Sequence, residues 1–257
     1  MENIKLVTNN ILRDATISFT YGSPSTAYPA SRLYDGDRND LWMRTQGGAA
    51  PWTIALSNFG TGVPIDFFAI SRHNLASETV TISDGSGHQL YSSSIPDSSE
   101  FVASWSTPLM YGDEYPTSYQ LTFTPKSDPY IAELTLGTKV FDVHPDFPGP
   151  VPTREPNQDI RYTRSGHRWG LKRGESKWAY EYKFTMGSTK MDVFKQCLVD
   201  TDDGLLPFYM YDHDGTLRYV ELLGPASFPY VIPGGTSPSG DLLPYYQTFT
   251  MSVREVF

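Results

Sequence analysis

Tyr34-Asp35-Gly36-Asp37-Arg38-Asn39-Asp40-Leu41-Trp42-Met43-Arg44 decides how the first half of this chain is read. Short polar side chains can bond neighbouring backbone amides, and Gly36 tolerates positive φ, so Asp35-Gly36-Asp37 predicts a turn. Trp42 opens an apolar segment directly afterwards, and an aromatic of that size beside a turn predicts a core anchor. The run also places oxygen atoms at alternate positions, Asp35, Asp37 and Asn39, as a calcium loop does. Asp40 stands where an EF-hand needs its glycine and Gln46 where it needs a bidentate Glu, which excludes that motif. A looser calcium site is left open without a specific motif behind it. Carboxylates capping amides beside Trp42 is the favoured reading.

Working outward, residues 21–29 form a turn-rich loop, and short strands are predicted over 4–7 and 15–19 before it. Beyond Trp42, residues 52–56 alternate with period two, as a half-buried strand does. Further strands are predicted over 65–70, 79–83, 89–91, 101–105, 118–123 and 130–136, with Asp84-Gly85-Ser86-Gly87 as a turn between two of them. About eight closely spaced strands without a helical pattern predict an antiparallel β-sandwich.

Composition agrees with an all-β chain. Aromatics make up 14% of the 257 residues, too many for a disordered chain, and 21 Gly and 20 Pro supply turns. The net charge of −9 argues against sequence-independent nucleic-acid binding, which needs clustered bases on phosphates. Residues 1–145 carry 8 basic against 15 acidic groups, and the remainder 12 against 14. The single Cys197 excludes a disulfide framework and falls in an apolar helical pattern, so a buried structural thiol is expected. Neither a signal peptide nor an 18-residue apolar run is present, which predicts synthesis in a cytoplasm and no membrane insertion.

Five prolines between Asp142 and Pro156 mark a change of character, read as a linker over 143–160. The predicted domains are therefore 1–142 and 161–257. In the second, residues 177–186 alternate strictly, which predicts Trp178, Tyr180, Tyr182, Phe184 and Met186 on one core face. Met191, Phe194, Leu198 and Val199 recur at helical spacing, predicting a helix over 190–199 with an N-cap at Ser188-Thr189. Asp212-His213-Asp214-Gly215 reads as a hairpin turn, and 245–257 as a long alternating strand tied into a sheet. A basic excess, Arg161, Arg164, Arg168, Lys172 and Arg173, is a candidate interface with an acidic neighbour, although a solvated face also explains it.

The order Tyr28-Pro29-Ala30-Ser31-Arg32-Leu33-Tyr34-Asp35-Gly36-Asp37, then Trp42, then an alternating strand, resembles the discoidin-like domain. That family is also called factor V/VIII C-type or galactose-binding-like, and the likeness covers about residues 1–142. It implies a jelly-roll β-sandwich. The strand, helix, hairpin, strand order of the second half, carried by Trp178–Met186, Lys190–Leu198, Leu205-Leu206-Pro207-Phe208 and Phe249–Val256, resembles the small β domain with one flanking helix of phage tail-tube and distal-tail proteins. The joint arrangement is similar to minor tail proteins of long-tailed phages and prophages.

This likeness implies a structural, non-enzymatic tail-tip component of a virion. Its partners would be copies of itself in a ring and other tail proteins, with the sandwich projecting outward to brace the assembly or touch the host. The alternative is a carbohydrate- or receptor-binding module for host surface glycans. Tyr21, Tyr28, Arg44, Arg72, His73 and Asn74 on sandwich loops would then hold the sugar, although the same residues suit a protein interface. No G-x-S-x-G elbow, P-loop or HExxH motif occurs, so neither catalysis nor a zinc site is expected.

Overall fold

The computed structural model describes residues 2–20, 27–38, 42–43, 50–146, 148–155, 158–162, 168–172, 176–224, 227–232 and 246–256. Side chains of 43, 158–162, 168–172, 227–232 and 246–247 lie outside that description. The fold is mainly β, with one α-helix among the described residues. The chain divides into two compact units, one of Val7–Lys139 and one of Met1–Leu6 with Val140–Phe257.

Strands are numbered along the chain from β1 (Ile4–Val7), which pairs within the second unit. The Val7–Lys139 unit is a jelly-roll-like sandwich of two antiparallel sheets. Five strands form one sheet: β2 (Thr16–Thr20), β4 (Trp52–Ser57), β6 (Thr79–Asp84), β7 (Gln89–Ser94) and β9 (Tyr119–Phe123), in the order β2-β4-β9-β6-β7. The other sheet runs β3-β10-β5-β8, from β3 (Trp42–Met43), β5 (Phe67–His73), β8 (Glu100–Ser104) and β10 (Tyr130–Gly137). Alternation decides which face each strand buries: every second residue of β4 and β9 is buried, so Trp52, Ile54, Leu56, Tyr119, Leu121 and Phe123 enter the core.

Trp42 is 1% exposed and anchors this core, as its position after the turn predicts. Its ring stacks between Phe19 (5.4 Å) and Trp52 (5.5 Å), and Trp52 stacks in turn on Phe123 (4.2 Å). Gly36 adopts φ +82°, and its amide donates to Glu133 on β10 (3.1 Å), while the Asp37 amide donates to Asp35 Oδ1 (2.9 Å). The Asp-Gly-Asp run therefore acts as a turn that ties the entry to β3 onto its partner strand.

The second unit holds a sheet in the order β11-β1-β16-β17-β19-β15-β12, with a further strand on β19. Its members are β11 (Val140–Val143), β12 (Thr153–Glu155), β15 (Lys177–Gly187), β16 (Phe208–Tyr211), β17 (Leu217–Leu222), β18 (Ser227–Ile232) and β19 (Tyr246–Glu255). A separate hairpin joins β13 (Gln158–Tyr162) to β14 (Arg168–Lys172). β19 pairs with β15, β17 and β18, so the long closing strand lies inside its sheet. Helix α1 (Ser188–Asp200) covers the aromatic core, where Phe194 meets Phe249 at 4.4 Å and Phe141 at 5.0 Å.

Several expectations shift in detail. β1 pairs with β11 on one side and β16 on the other, so residues 4–6 and 140–142 belong to the second unit rather than to a domain over 1–142. The segment read as a linker over 143–160 contributes β12, which pairs with β15, and the start of β13, because prolines at 145, 148, 150 and 152 precede the ladder without interrupting it. Helix α1 starts two residues early, at Ser188, with Gly187 as an N-cap that offers no side-chain bond. Val199 is 68% exposed: Met191, Phe194 and Cys197 form the buried stripe, and Val199 lies beyond it. Cys197 is buried, as expected. Trp178 departs from the predicted core face at 39% exposure, since Tyr180, Tyr182, Phe184 and Met186 already fill the core and Trp178 lies at the start of β15.

Candidate functional site

Arg72, His73 and Asn74 come together at the end of β5, where each holds neighbouring backbone. Arg72 takes φ +47°; its amide donates to Ser99 O (2.6 Å) and its Nη1 to Arg38 O (2.9 Å). Asn74 donates to Asp128 O (3.0 Å) and accepts the Tyr130 amide (2.9 Å), closing the approach to β10. The His73 ring is buried and accepts the Leu75 amide at Nδ1 (3.1 Å). Burial pushes its pKa down, opposed by Glu100. Tyr28 is covered by the Arg32 guanidinium, 5.4 Å from its ring centre. Tyr21 and Arg44 lie outside the described residues. So do Arg164 and Arg173, while Arg161, Arg168 and Lys172 are placed on the β13–β14 hairpin by backbone alone.

Behind this end of the sandwich lies an acid under a covering turn. Glu133 is 2% exposed and sits beside Ser71 in the β10–β5 ladder. Desolvation pushes its carboxyl up to about 8; the Gly36 amide opposes that shift and the Asp35 charge adds to it. Among the described residues no group of three His, Cys, Asp or Glu side chains is gathered to hold a metal ion, and Asn39 lies outside them.

The far end of the sandwich carries a cavity of about 400 Å³. Its walls are the β6–β7 turn, Asp84-Gly85-Ser86, and the segment Tyr111 to Ser118. Asp84 builds the turn: its Oδ1 accepts the Ser86 and His88 amides (2.9 and 2.8 Å), and its carbonyl accepts the Gly87 amide (3.0 Å). His88 Nδ1 lies 2.7 Å from Asp84 Oδ2. Burial opposes ionisation of Asp84, but the bonds from the His88 side chain and amide outweigh it and hold the carboxyl below its ordinary value. Gly85 lets Ser118 approach closely: a Cβ there would stand 1.8 Å from Ser118 Oγ, and the hydroxyl would have to turn away.

The facing wall is a tight turn. Tyr111 and Glu114 exchange backbone hydrogen bonds (3.2 and 3.4 Å) around Gly112 at φ +62°. The His88 ring lies flat on Tyr111, 3.7 Å between centres and 9° from parallel, clasping the two walls together. Tyr119 donates to Val63 O (2.5 Å), and the Val63 amide donates to Pro116 O (3.1 Å), which fixes the base. Tyr111 (54% exposed) and Tyr115 (38% exposed) present aromatic surface beside Glu114, Ser86, Thr117 and Ser118. The lining is mainly polar, carboxylates and hydroxyls around two exposed rings, which suits a hydroxyl-rich ligand with one apolar face. None of the expected site residues that are described lines it. The available signal was Tyr111-Gly112-Asp113-Glu114-Tyr115, a Gly-Asp turn between tyrosines, but its juxtaposition with Asp84-Gly85-Ser86 arises only from strand pairing, Asp84 opposite Tyr119.

A second cavity, about 360 Å³, lies in the other unit between Pro150, Pro152, Trp178 and Tyr180 on one side and Asp212, His213, Asp214 and Arg218 on the other. Asp212 is 1% exposed; Arg218 Nε donates to its Oδ2 (2.9 Å) and Nη1 to Glu255 Oε1 (2.7 Å), with the guanidinium 4.5 Å from the Tyr180 ring centre. The predicted Asp212–Gly215 hairpin turn is thus also the floor of an ion-pair network.

No protein-family profile matches the chain, and no curated protein matches it. Solved structures do. A family 32 carbohydrate-binding module of Clostridium perfringens NanJ, in complex with galactose, aligns at TM-score 0.40 and 16% identity over 52% of this chain and 98% of its own. A chitosan-binding module from a Paenibacillus chitosanase/glucanase aligns at 0.39 and 16%, over 50% of this chain and 98% of its own. A fucose-binding module from Streptococcus pneumoniae aligns at 0.39 and 10%, over 50% and 96%.

Proposed function

We propose that this chain is a non-catalytic, glycan-binding protein whose Val7–Lys139 sandwich takes the sugar in the cavity between the β6–β7 turn and residues 111–118. One observation carries the reading: Tyr111 and Tyr115 present exposed rings in a cavity of about 400 Å³ whose two walls are already clasped by backbone bonds and the His88–Tyr111 stack. The apolar face of a pyranose packs on a tyrosine ring, and its hydroxyls find acceptors and donors at Glu114, Ser86, Thr117 and Ser118. A site held in place before binding loses little conformational entropy on binding. A glycan array probed with the full chain tests this reading. Saturable binding to defined glycans supports it, and silence across host-surface glycans counts against it.

The tail-tip reading stands second, favoured by one feature of the other unit: a β sheet backed by a single helix over an aromatic core, the module that the sequence resemblance implies. On it the chain is a virion component that assembles as a ring with other tail proteins, with the sandwich outward. Light scattering and negative-stain imaging of the full chain test it: a closed ring supports it and a monomer at assembly concentrations opposes it. The two readings are compatible, since one concerns the sandwich and the other the second unit.

A further inference from the structure

The charge around the sandwich cavity narrows the sugar it takes; this step rests on the glycan reading above. Two carboxylates, Asp84 and Glu114, line the cavity together with hydroxyls and two phenol rings, and among the described residues no Lys or Arg does. Asp84 is committed to its turn by the Ser86 and His88 amides and by the His88 ring, so its position is fixed. Glu114 is exposed, and its carboxylate makes no hydrogen bond or ion pair with the described residues; the Tyr111–Glu114 backbone pair holds it at the rim. The rings add to the same sign of preference. His88 covers one face of Tyr111, and at 54% exposure the tyrosine still presents π surface, whose negative quadrupole attracts cations. The sandwich around the site is itself acidic, with 13 Asp and Glu against 7 Lys and Arg between Val7 and Lys139.

We propose that the cavity selects amino-bearing glycans, with Glu114 as the specificity-determining carboxylate that receives the sugar ammonium, and that it rejects uronic and other anionic glycans. An ammonium about 4–5 Å from one partly hydrated carboxylate gains on the order of 1 kcal/mol, or roughly fivefold in affinity, and an anionic group loses as much.

The test is calorimetric titration of the full chain with three probes: a glucosamine tetramer, its N-acetylated counterpart and a galacturonic acid tetramer, each at low and at physiological salt. The expected order is glucosamine above N-acetylglucosamine above galacturonate. The first gap should be roughly fivefold and should shrink with salt. Glu114→Gln should weaken the glucosamine tetramer more than the acetylated one, closing that gap, and Glu114→Lys should raise galacturonate affinity. Equal affinity for all three probes, or a preference that survives Glu114→Gln, overturns this inference and leaves the glycan reading intact. Absence of binding by all three, with no binding on the array, overturns both.

Discussion

Trp42 stacks on Trp52 with ring centres 5.5 Å apart although the two residues belong to opposite sheets of the sandwich. Phe19 and Phe123 extend the column on the five-stranded side, so Trp42 is the ring through which β3 grips the facing sheet. Among the described residues neither indole N–H has a hydrogen-bond partner, so packing has to offset the desolvation of both groups.

Trp42→Ala should therefore destabilise the sandwich by about 3–5 kcal/mol. Urea unfolding followed by near-UV circular dichroism measures it, with the two units analysed as separate transitions. A loss under about 1 kcal/mol would mean that the column does not anchor the fold.

Glu133 makes the sandwich sensitive to pH in a direction opposite to an ion-paired carboxylate. Its folded-state pKa, about 8, lies above the ordinary 4.5, so the folded state holds a proton that the unfolded chain releases. This contribution is fully present below about 4.5 and is lost as pH rises through 8, at ~1.4 kcal/mol per unit of difference. Stability should fall from pH 5 to pH 9, and Glu133→Gln should flatten that slope while keeping an acceptor for the Gly36 amide. A wild-type curve that rises over this range contradicts the assignment.

Arg218 stands between Asp212, which is 1% exposed, and Glu255. Arg218→Ala leaves the buried Asp212 carboxylate with the His213 amide and ring but no guanidinium, and should cost the second unit about 3–5 kcal/mol. Thermal unfolding should show that unit's transition lowered and the sandwich transition unmoved. A change below about 1 kcal/mol would mean that solvent already screens the pair.

Trp178 and Phe184 alternate along the same strand but differ in burial, 39% against 0% exposed. Trp178→Ala should change stability by about 1 kcal/mol or less, and Phe184→Ala by about 3–5 kcal/mol. Equal losses in chemical denaturation would place Trp178 in the core after all.

These contrasts mark what could be read from residues alone. Turn chemistry at Asp35-Gly36-Asp37, the anchor role of Trp42 and the alternation of β4, β9 and β15 are local, and local rules suffice for them. The placement of β1 is not local: nothing within Ile4–Val7 names its partners, and its position between Val140–Val143 and β16 assigns it to the second unit. Period two gave Trp178 a core face, but the extent of the core depends on how far the neighbouring strands run. The cavity between Asp84 and Tyr111 joins segments more than twenty residues apart, whereas Arg72, His73 and Asn74, adjacent in sequence, use their described bonds to hold loops.

The choice between those two ends of the sandwich is the central claim, and paired titrations of one glycan hit from the array decide it most directly. The account predicts that Tyr111→Ala weakens binding by tenfold or more while Arg72→Ala, checked for an intact fold, binds as the wild type does. Loss on Arg72→Ala with full binding by Tyr111→Ala would contradict it and move the site to the end of β5.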